Sequence, residues 1–486
     1  MHSEQAIDAE SIRADIAIIG AGGAGLAAAV AATEKGASVV LLEKREAPGG
    51  NTALAQAFFA AESPAQERVG IDAPKDVLFK MAMDYAHWEI NPRIVRAFIN
   101  KSGDTVRWLE EKGLEIEQIP VYPPNIVIRT FHWPKGQGAK IVELLLKNCE
   151  ELGVRLYRQT SAKKILMNAA GEVMGVLALT KEKELKVIAR SVILATGGYG
   201  GNKELLRTYC SSYTEDIRSM GLPHTGDGFL MATAIGAATE GLGVIQMEGP
   251  IFQGSRNGRS ICQEPTTIWV NNNGERFADE TTAFNHFESV NALLQQPGKV
   301  SYTLFDEQIK QQIIEKIKRG VLRFRGLRNR VNITQPLDLE MELQLEAEKG
   351  AVKITDSWDE IARWIGADSK VLKSTIDEYN ASCEHGYDDL FLKDRRYLVP
   401  IRIPPYYAMR CYPVFLTTIG GIKINHHMEV LNHRDDPIPG LYAAGNDTGG
   451  WEPNTYNAVL SGSTLGFALN SGRIAGENAA SYVLRE

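Results

Sequence analysis

A glycine-rich turn between two short apolar runs near the start of the chain constrains the fold more than any other feature. The apolar runs span residues 14–19 and 38–43, and an alanine-rich stretch at 26–35 lies between them. The turn has G-x-G-x-x-G spacing and contains Gly20, Gly22 and Gly25. This order predicts a strand, a helix and a second strand within about 30 residues, the unit that binds half of a dinucleotide. We therefore expect an α/β protein with a Rossmann-type domain.

The glycine spacing and the acidic residue Glu43 together predict an adenine dinucleotide as ligand. The first glycine permits a tight turn, the second lets the backbone approach a pyrophosphate, and the third allows close packing of helix on strand. The phosphates would lie at a helix N-terminus, where free N–H groups and the helix dipole favour an anion. Glu43 ends the second run and is placed to accept hydrogen bonds from ribose hydroxyls. Its negative charge argues against a 2′-phosphate on that ribose.

The remaining sequence predicts one interrupted domain and one inserted domain. Residues 13–245 would form the first part of the dinucleotide-binding domain, with helices between 75 and 112 and an antiparallel β meander between 154 and 189. Residues 246–417 carry charged helices and irregular loops and would form an inserted α+β capping domain for the substrate. Residues 418–486 would complete the first domain with a strand and a long helix.

Composition excludes several other classes of protein. The 53 basic and 60 acidic residues give a net charge of -7, too small to suggest nucleic acid or an anionic membrane as partner. The N-terminus has no signal-peptide pattern, and no run of about 20 apolar residues follows. The five cysteines lie far apart without a C-x-x-C pair. We expect a cytoplasmic protein with reduced cysteines, no metal site, no membrane insertion and a small-molecule substrate.

Several further motifs carry a family resemblance. They are EKREAPGGNTALA at 43–55, ATGG at 195–198, TGDG at 225–228, GERFADE at 274–280, GLYAAGN at 440–446 and GRIAG at 472–476. In this order the chain resembles the fumarate reductase/succinate dehydrogenase flavoprotein superfamily, which also contains 3-ketosteroid dehydrogenases and urocanate-type reductases. The resemblance implies FAD as cofactor. In the succinate dehydrogenases of this superfamily a histidine near the Gly-Gly motif carries FAD covalently. Residues 49–60 contain no histidine, so the resemblance implies non-covalent binding.

The resemblance also implies which residues hold FAD. They are Gly20, Gly22, Gly25, Glu43, Lys44, Gly50, Asn51, Thr52, Ala162, Thr196, Gly197, Asp227, Asn446, Thr464 and Leu465. Thr464 and Leu465 open the predicted last helix, whose N–H groups could stabilise negative charge on the reduced flavin. Asp227 has a second interpretation of similar weight, as the N-cap of the helix that follows it.

By the same resemblance the enzyme would move a hydride between flavin N5 and an activated carbon–carbon double bond. The chain has no haem or iron–sulfur motif, so an external electron donor or acceptor is expected. The positions that carry cations and histidines in the dicarboxylate reductases fall here on the segment around Glu248 and on Phe284, Leu416 and Val459. Because two carboxylates need paired cations, we predict that fumarate and succinate are not substrates. An enone, a ketosteroid or an aryl acrylate would suit the apolar replacements.

Candidate catalytic residues follow from their residue types and from the resemblance. Tyr456 lies in a phrase similar to that of the 3-ketosteroid dehydrogenases and is the first candidate for proton transfer, followed by His286 and Glu248. Each has a structural alternative: packing beside the flavin, a core histidine and an ion-pair partner, respectively. The predicted substrate pocket contains Phe284, Leu416, Tyr412, Trp451 and Val459, with Glu452 beside it.

Two further expectations and two alternative functions complete the prediction. Arg276 would pair with Asp279 or Glu280, and a loop with Arg129 and His132 would border the flavin. Two other functions stay open. One is a flavin-dependent oxidase or an amine or alcohol dehydrogenase, and the other is a catalytically silent flavin-binding electron-transfer subunit.

Overall fold

The structure is a computed structural model that describes residues 10–123, 127–181, 183–319 and 338–485. It divides into two compact units. Unit 1 contains the described residues up to Thr214, the segment Ser219–Gln246 and the chain from Leu416 onward. Unit 2 contains Glu215–Arg218 and Met247–Phe415. The chain therefore leaves unit 1 after Gln246 and returns to it at Leu416.

A six-stranded sheet forms the centre of unit 1. Its order is Glu429–Leu431, Pro437–Ala443, Ser191–Leu194, Ile16–Ile19, Val39–Leu42 and Arg155–Tyr157. All neighbours pair in parallel except the first two strands. The strands at its middle are short, β-branched and fully buried, as expected for a parallel sheet covered on both faces. Chain order reverses between Ile16–Ile19 and Ser191–Leu194, and such a switch point opens a crevice at the carboxyl ends of the strands.

A second sheet of unit 1 contains the predicted meander. Ser161–Met167, Val173–Leu179 and Glu184–Ile188 pair in antiparallel order. Glu10–Arg13 adds a parallel fourth strand beside Glu184–Ile188, ahead of the predicted start of the domain at residue 13. The assignment of residues 154–157 to the meander is wrong, because Arg155–Tyr157 pairs in parallel with Val39–Leu42. A run this short carries no signal of its partner, and only the chain path brings it to the central sheet.

Unit 1 contains eight helices among the described residues. They are Gly23–Glu34, Pro64–Glu67, Lys75–Tyr85, Pro92–Glu111, Gln137–Glu151, Lys203–Tyr209, Asp227–Thr233 and Ser463–Val483. The first of these and the final helix, Ser463–Val483, cross at very close range. A Cβ at Gly472 would lie 2.2 Å from the carbonyl oxygen of Ala24, and one at Gly476 would lie 2.3 Å from that of Ala28. Small residues on both helices therefore let the two backbones touch, which explains the spacing of the GRIAG motif. A small three-stranded sheet, Phe58–Phe59, Phe131–Pro134 and Ile116–Gln118, completes the unit.

Unit 2 has its own sheet and core. Its strands are Ile245–Phe252, Ile268–Val270, Ser301–Asp306, Val352–Thr355 and Tyr406–Thr418, of which the first and last continue into unit 1. Its helices are Arg256–Ile261, His286–Leu294, Glu307–Lys318, Leu339–Glu348, Trp358–Ile365 and Ser369–His385. Buried aromatic side chains fill the space between them, and Phe305 stacks on Tyr407 with ring centres 4.8 Å apart. The predicted fold class, a Rossmann-type α/β domain with a meander and an additional α+β domain, is confirmed.

Four charged side chains form a closed network in the core of unit 2. Arg276 donates to both carboxylate oxygens of Glu280, at 3.0 and 2.9 Å, and to both of Asp388. The ammonium of Lys393 lies 3.1 Å from Glu280, and these four side chains are almost completely buried. Glu280 is thus the partner predicted for Arg276. Asp279 instead caps the following turn through the N–H of Thr281.

Candidate active site

A deep cleft opens in unit 1 at the carboxyl ends of Ile16–Ile19 and Val39–Leu42. It encloses about 840 Å³ of empty space, including part open to solvent. Every FAD contact predicted from the sequence lines this cleft except Gly25, Thr464 and Leu465. The lining also contains residues that the sequence did not point to, among them Arg45, Thr160, Ala195, His224 and Gly445.

The glycine turn at the base of the cleft packs so closely that it has no room for side chains at two of its glycines. Gly20 has φ of 101°, and a Cβ there would lie 2.3 Å from the carbonyl oxygen of Ala195. A Cβ at Gly25 would lie 1.8 Å from the carbonyl oxygen of Gly20, so the first helix packs directly on the turn. The N-cap of that helix, Gly22, has no side chain to occupy the first N–H groups. The N–H of Gly23 donates to the hydroxyl of Thr52 at 3.1 Å. A glycine-capped helix N-terminus in a cleft of this shape fits the pyrophosphate of FAD.

Charged residues at the end of the second strand line the same cleft. The carboxylate of Glu43 accepts hydrogen bonds from the backbone N–H groups of Ala21 and Arg45, at 2.9 and 2.8 Å. Lys44 lies 2.8 Å from Asp227. Burial raises the pKa of Asp227, but the hydrogen bonds from Lys44 and a threonine outweigh it and leave that pKa below its ordinary value. The N-cap interpretation of Asp227 is wrong, because Gly226 is the N-cap and Asp227 is the first helical residue.

Asp447 is a buried acid that sequence reasoning missed. It is fully enclosed and accepts hydrogen bonds from the hydroxyl of Thr196, at 2.9 Å, and from the N–H of Gly198, at 2.8 Å. Burial raises its pKa. These hydrogen bonds to the buried Asp447 therefore hold the 196–198 loop in place, while Thr196 and Gly197 line the cleft. Asp447 comes directly after the predicted Asn446. Nothing in the sequence shows that the Asn446 side chain lines the cleft whereas the Asp447 side chain is buried in the protein next to it.

The start of the final helix holds a buried group of polar side chains. Glu452 accepts hydrogen bonds from the hydroxyl of Ser463, at 2.6 Å, and from the N–H of Asn457, at 2.9 Å. The phenol oxygen of Tyr456 accepts from the N–H of Gly462 at 3.0 Å. Burial raises the pKa of Glu452 to about 7. Burial, together with the Glu452 carboxylate, raises the pKa of Tyr456 to about 12.

The other predicted residues of unit 1 surround this group. Thr464 donates to Gln246 at 2.9 Å, and Leu465 lies buried in the first turn of the final helix. Trp451 is buried and stacks on Phe467 with ring centres 4.0 Å apart, and its indole N–H donates to a backbone carbonyl. Val459 is buried, whereas Leu416 is only half-buried. Tyr456, Trp451 and Val459 thus belong to one connected segment before the final helix.

The remaining candidates lie in unit 2. The Nε2 atom of His286 is 3.5 Å from a carboxylate oxygen of Glu248, and both side chains are mostly buried. His286 begins the helix His286–Leu294. Phe284 is half-buried and meets the ring of Tyr397 edge-on, with ring centres 5.5 Å apart. Tyr412 is half-buried on the strand Tyr406–Thr418. His286 and Glu248 therefore form a potential acid–base pair.

The prediction that His132 lies in a loop is wrong. That residue lies in the strand Phe131–Pro134 and is completely buried, and its ring nitrogens bond Ser63 at 2.7 Å and the carbonyl oxygen of Thr130 at 2.8 Å. Burial lowers its pKa to about 4. Arg129 donates to the carbonyl oxygen of Ile119. Both side chains serve the local structure.

Comparison with known proteins agrees with the cleft and the fold. The sequence pattern of the FAD binding domain family matches residues 15–458. The chain is 31% identical to vinyl phenol reductase of Lactiplantibacillus plantarum over 96% of both chains. It is 29% identical to urocanate reductase of Eggerthella lenta, over 96% of this chain and 74% of that protein. The solved open conformation of a flavocytochrome c3 fumarate reductase matches with a TM-score of 0.74 and 27% identity, over 98% of this chain and 79% of that one.

The fold and the cleft define an FAD-binding flavoprotein, and the comparisons specify its kind. The chain belongs to the FAD-binding family that includes the fumarate reductases, and it is an FAD-dependent oxidoreductase. The predicted family and the predicted cofactor are both confirmed. Within the described part of the chain, no helix combines the length and apolar character needed to span a membrane.

Proposed function

We propose that this enzyme reduces an activated carbon–carbon double bond in a relatively apolar substrate that is not a dicarboxylate. The substrate class comprises alkenes conjugated to an aromatic ring, a ketone or a single carboxylate. FAD, when bound, supplies hydride chemistry at the substrate carbon. Electrons would come from a donor outside this chain.

The observation that carries this proposal is the chemistry of four positions. Phe284, Leu416 and Val459 are apolar at places where the resemblance to dicarboxylate reductases leads one to expect cations or histidines, and an acid, Glu248, stands at the fourth. Each lost charge-assisted hydrogen bond costs roughly 1.5–3 kcal/mol of substrate binding. Two such losses correspond to a preference of about a hundredfold or more against fumarate.

Two buried acid–base groups could serve the proton transfer. The Tyr456 phenol, with its pKa raised to about 12, stays protonated at neutral pH. Such a group carries its proton at neutral pH, so it is available as the proton donor that reduction of the double bond requires. The His286–Glu248 pair in unit 2 is the second candidate, because an imidazole next to a carboxylate can carry a proton in either direction.

The similarity to vinyl phenol reductase supports an aryl alkene as the first substrate to test. That relative is matched over 96% of its length and over 96% of this chain. Urocanate reductase, another relative, is named for a substrate with a ring conjugated to an acrylate. A ring-bearing alkene, the kind of substrate that both names indicate, is consistent with the apolar side chains of Phe284 and Val459.

A direct test is reoxidation of the chemically reduced enzyme without oxygen. Purified protein would be mixed in turn with 4-vinylphenol, an aryl acrylate, a cyclic enone, a 3-ketosteroid and fumarate, and the return of oxidised-flavin absorbance would be followed. Free reduced FAD with each compound is the control. We expect an aryl alkene or enone to reoxidise the enzyme about a hundredfold faster than fumarate does.

Two outcomes would contradict the proposal. Reoxidation by fumarate at the rate of the best apolar alkene would show that the missing cations are not needed. Reoxidation by none of the alkenes, with oxygen consumed in the presence of saturated amines or alcohols, would favour the oxidase instead.

A further inference from the structure

The segment 221–227 lies against the FAD cleft and is fastened to it on two sides. The N–H of Leu222 donates to the side-chain oxygen of Asn51 at 2.7 Å. Further along, Lys44 donates to the hydroxyl of Thr225 at 2.6 Å and to Asp227 at 2.8 Å. Asn51 and Lys44 both line the cleft. The segment is therefore held by two residues of the cofactor site itself.

His224 lies between these two attachments and points into the cleft. A Cβ at Gly197 would lie 3.0 Å from its Nε2 atom, and one at Gly50 would lie 3.9 Å from the same atom. A Cβ at Gly50 would also lie 3.4 Å from the Cα of Gly22, the middle glycine of the pyrophosphate turn. The imidazole thus occupies the space above two glycines, with its Nε2 edge toward the part of the cleft that fits the diphosphate.

Burial and the neighbouring cations together hold His224 neutral in the absence of an anion. Burial, followed by the nearby cations Arg45 and Lys44, lowers its pKa to about 4, against a smaller opposing effect of Asp227. Arg45 and Lys44 follow the strand Val39–Leu42, and Asp227 begins the helix Asp227–Thr233. A diphosphate in the cleft would bring negative charge toward the same imidazole and would offset the field of the two cations.

We propose that His224 contacts the diphosphate of FAD and takes up a proton when the cofactor binds. The segment 221–227 positions the imidazole, and the proton converts it from a neutral group into a hydrogen-bond donor with a positive charge. Since binding and protonation are linked, FAD must bind more tightly as pH falls toward the pKa of free His224. This inference concerns the cofactor alone and does not depend on the substrate proposed above.

The linkage can be measured on the holoenzyme. Purified protein would be diluted at several pH values between about 5 and 8, and the released FAD would be quantified by its fluorescence. We expect the Kd of the wild-type protein to fall with falling pH by up to about tenfold per pH unit. His224→Gln keeps a hydrogen-bond donor without the titration, so its Kd should lose this pH dependence. His224→Phe keeps the ring shape alone, so its Kd should rise about tenfold at the acid end and also lose the slope.

One control variant, one independent measurement and two refuting results complete the test. His433→Gln changes an exposed histidine of unit 1 and should retain both the wild-type Kd and its slope. Calorimetry in buffers of different ionisation enthalpy should show proton uptake on FAD binding by the wild-type protein and none by His224→Gln. A wild-type Kd without pH dependence would refute the proposal whether or not the variants fold. A His224→Gln protein with the wild-type slope would refute it as well.

Discussion

Replacing Glu452 by glutamine should stabilise the protein at neutral and alkaline pH. The carboxyl is buried, and its pKa is raised from 4.5 to about 7, which corresponds to about 3 kcal/mol between its protonated and ionised forms. The folded state keeps the proton to a higher pH than the unfolded state does. Stability from this group is therefore fully present below about pH 4.5 and is lost as pH rises to about 7.

Glutamine resembles the protonated acid and fits the same partners. Its side-chain oxygen can accept from the N–H of Asn457, and its amide can donate to the hydroxyl of Ser463 after that hydroxyl rotates. We expect Glu452→Gln to match the wild-type free energy of unfolding near pH 4 and to exceed it by up to about 3 kcal/mol near pH 8.

The assay is urea unfolding of the holoenzyme at both pH values with a fixed excess of FAD. Glu89→Gln, a change at an exposed carboxylate of the same unit, corrects for the loss of one negative charge. The reasoning is refuted if Glu452→Gln is less stable than wild type at pH 8. It is also refuted if the difference between the two proteins does not change with pH.

Three further substitutions test other parts of the structure. Tyr456→Phe should lower the rate of alkene reduction, measured by stopped-flow reoxidation, by about 10²–10⁴-fold, while the FAD content of the purified protein, measured by absorbance, is unchanged. An unaltered rate would assign proton transfer to another group. Lys393→Met leaves the enclosed carboxylate of Glu280 undercompensated and should cost about 3–5 kcal/mol in urea unfolding. The double change with Glu280→Gln should cost less than the sum of the single changes, and strict additivity would contradict this coupling. Gly25→Ala places a Cβ 1.8 Å from a backbone oxygen and should yield protein without bound FAD, and full flavin content would show that the turn can relax.

The elements that the sequence predicted well are those whose signal is local. The turn at Gly20 and Gly25 could be predicted because strand, glycines and helix are consecutive, and close packing there requires glycine at each position. The long final helix was predictable for the same reason. The strand Arg155–Tyr157 was assigned to the wrong sheet because three residues cannot specify a partner, and its pairing with Val39–Leu42 depends on the path of the intervening chain.

Buried titratable side chains whose neighbours are distant in the sequence have no such local signal. His132 and His224 are both buried histidines with a pKa lowered to about 4, yet one bonds a serine and a backbone carbonyl in a strand and the other faces the cofactor cleft. Their residue type and hydropathy are identical, so only the positions of their neighbours separate the two roles. The same holds for Glu452, whose pKa depends on burial beneath a helix start that comes after it in sequence. A titratable residue in this family of folds must therefore be judged by what packs around it, and the variants of His224 and Glu452 test that judgement at two separate places in unit 1.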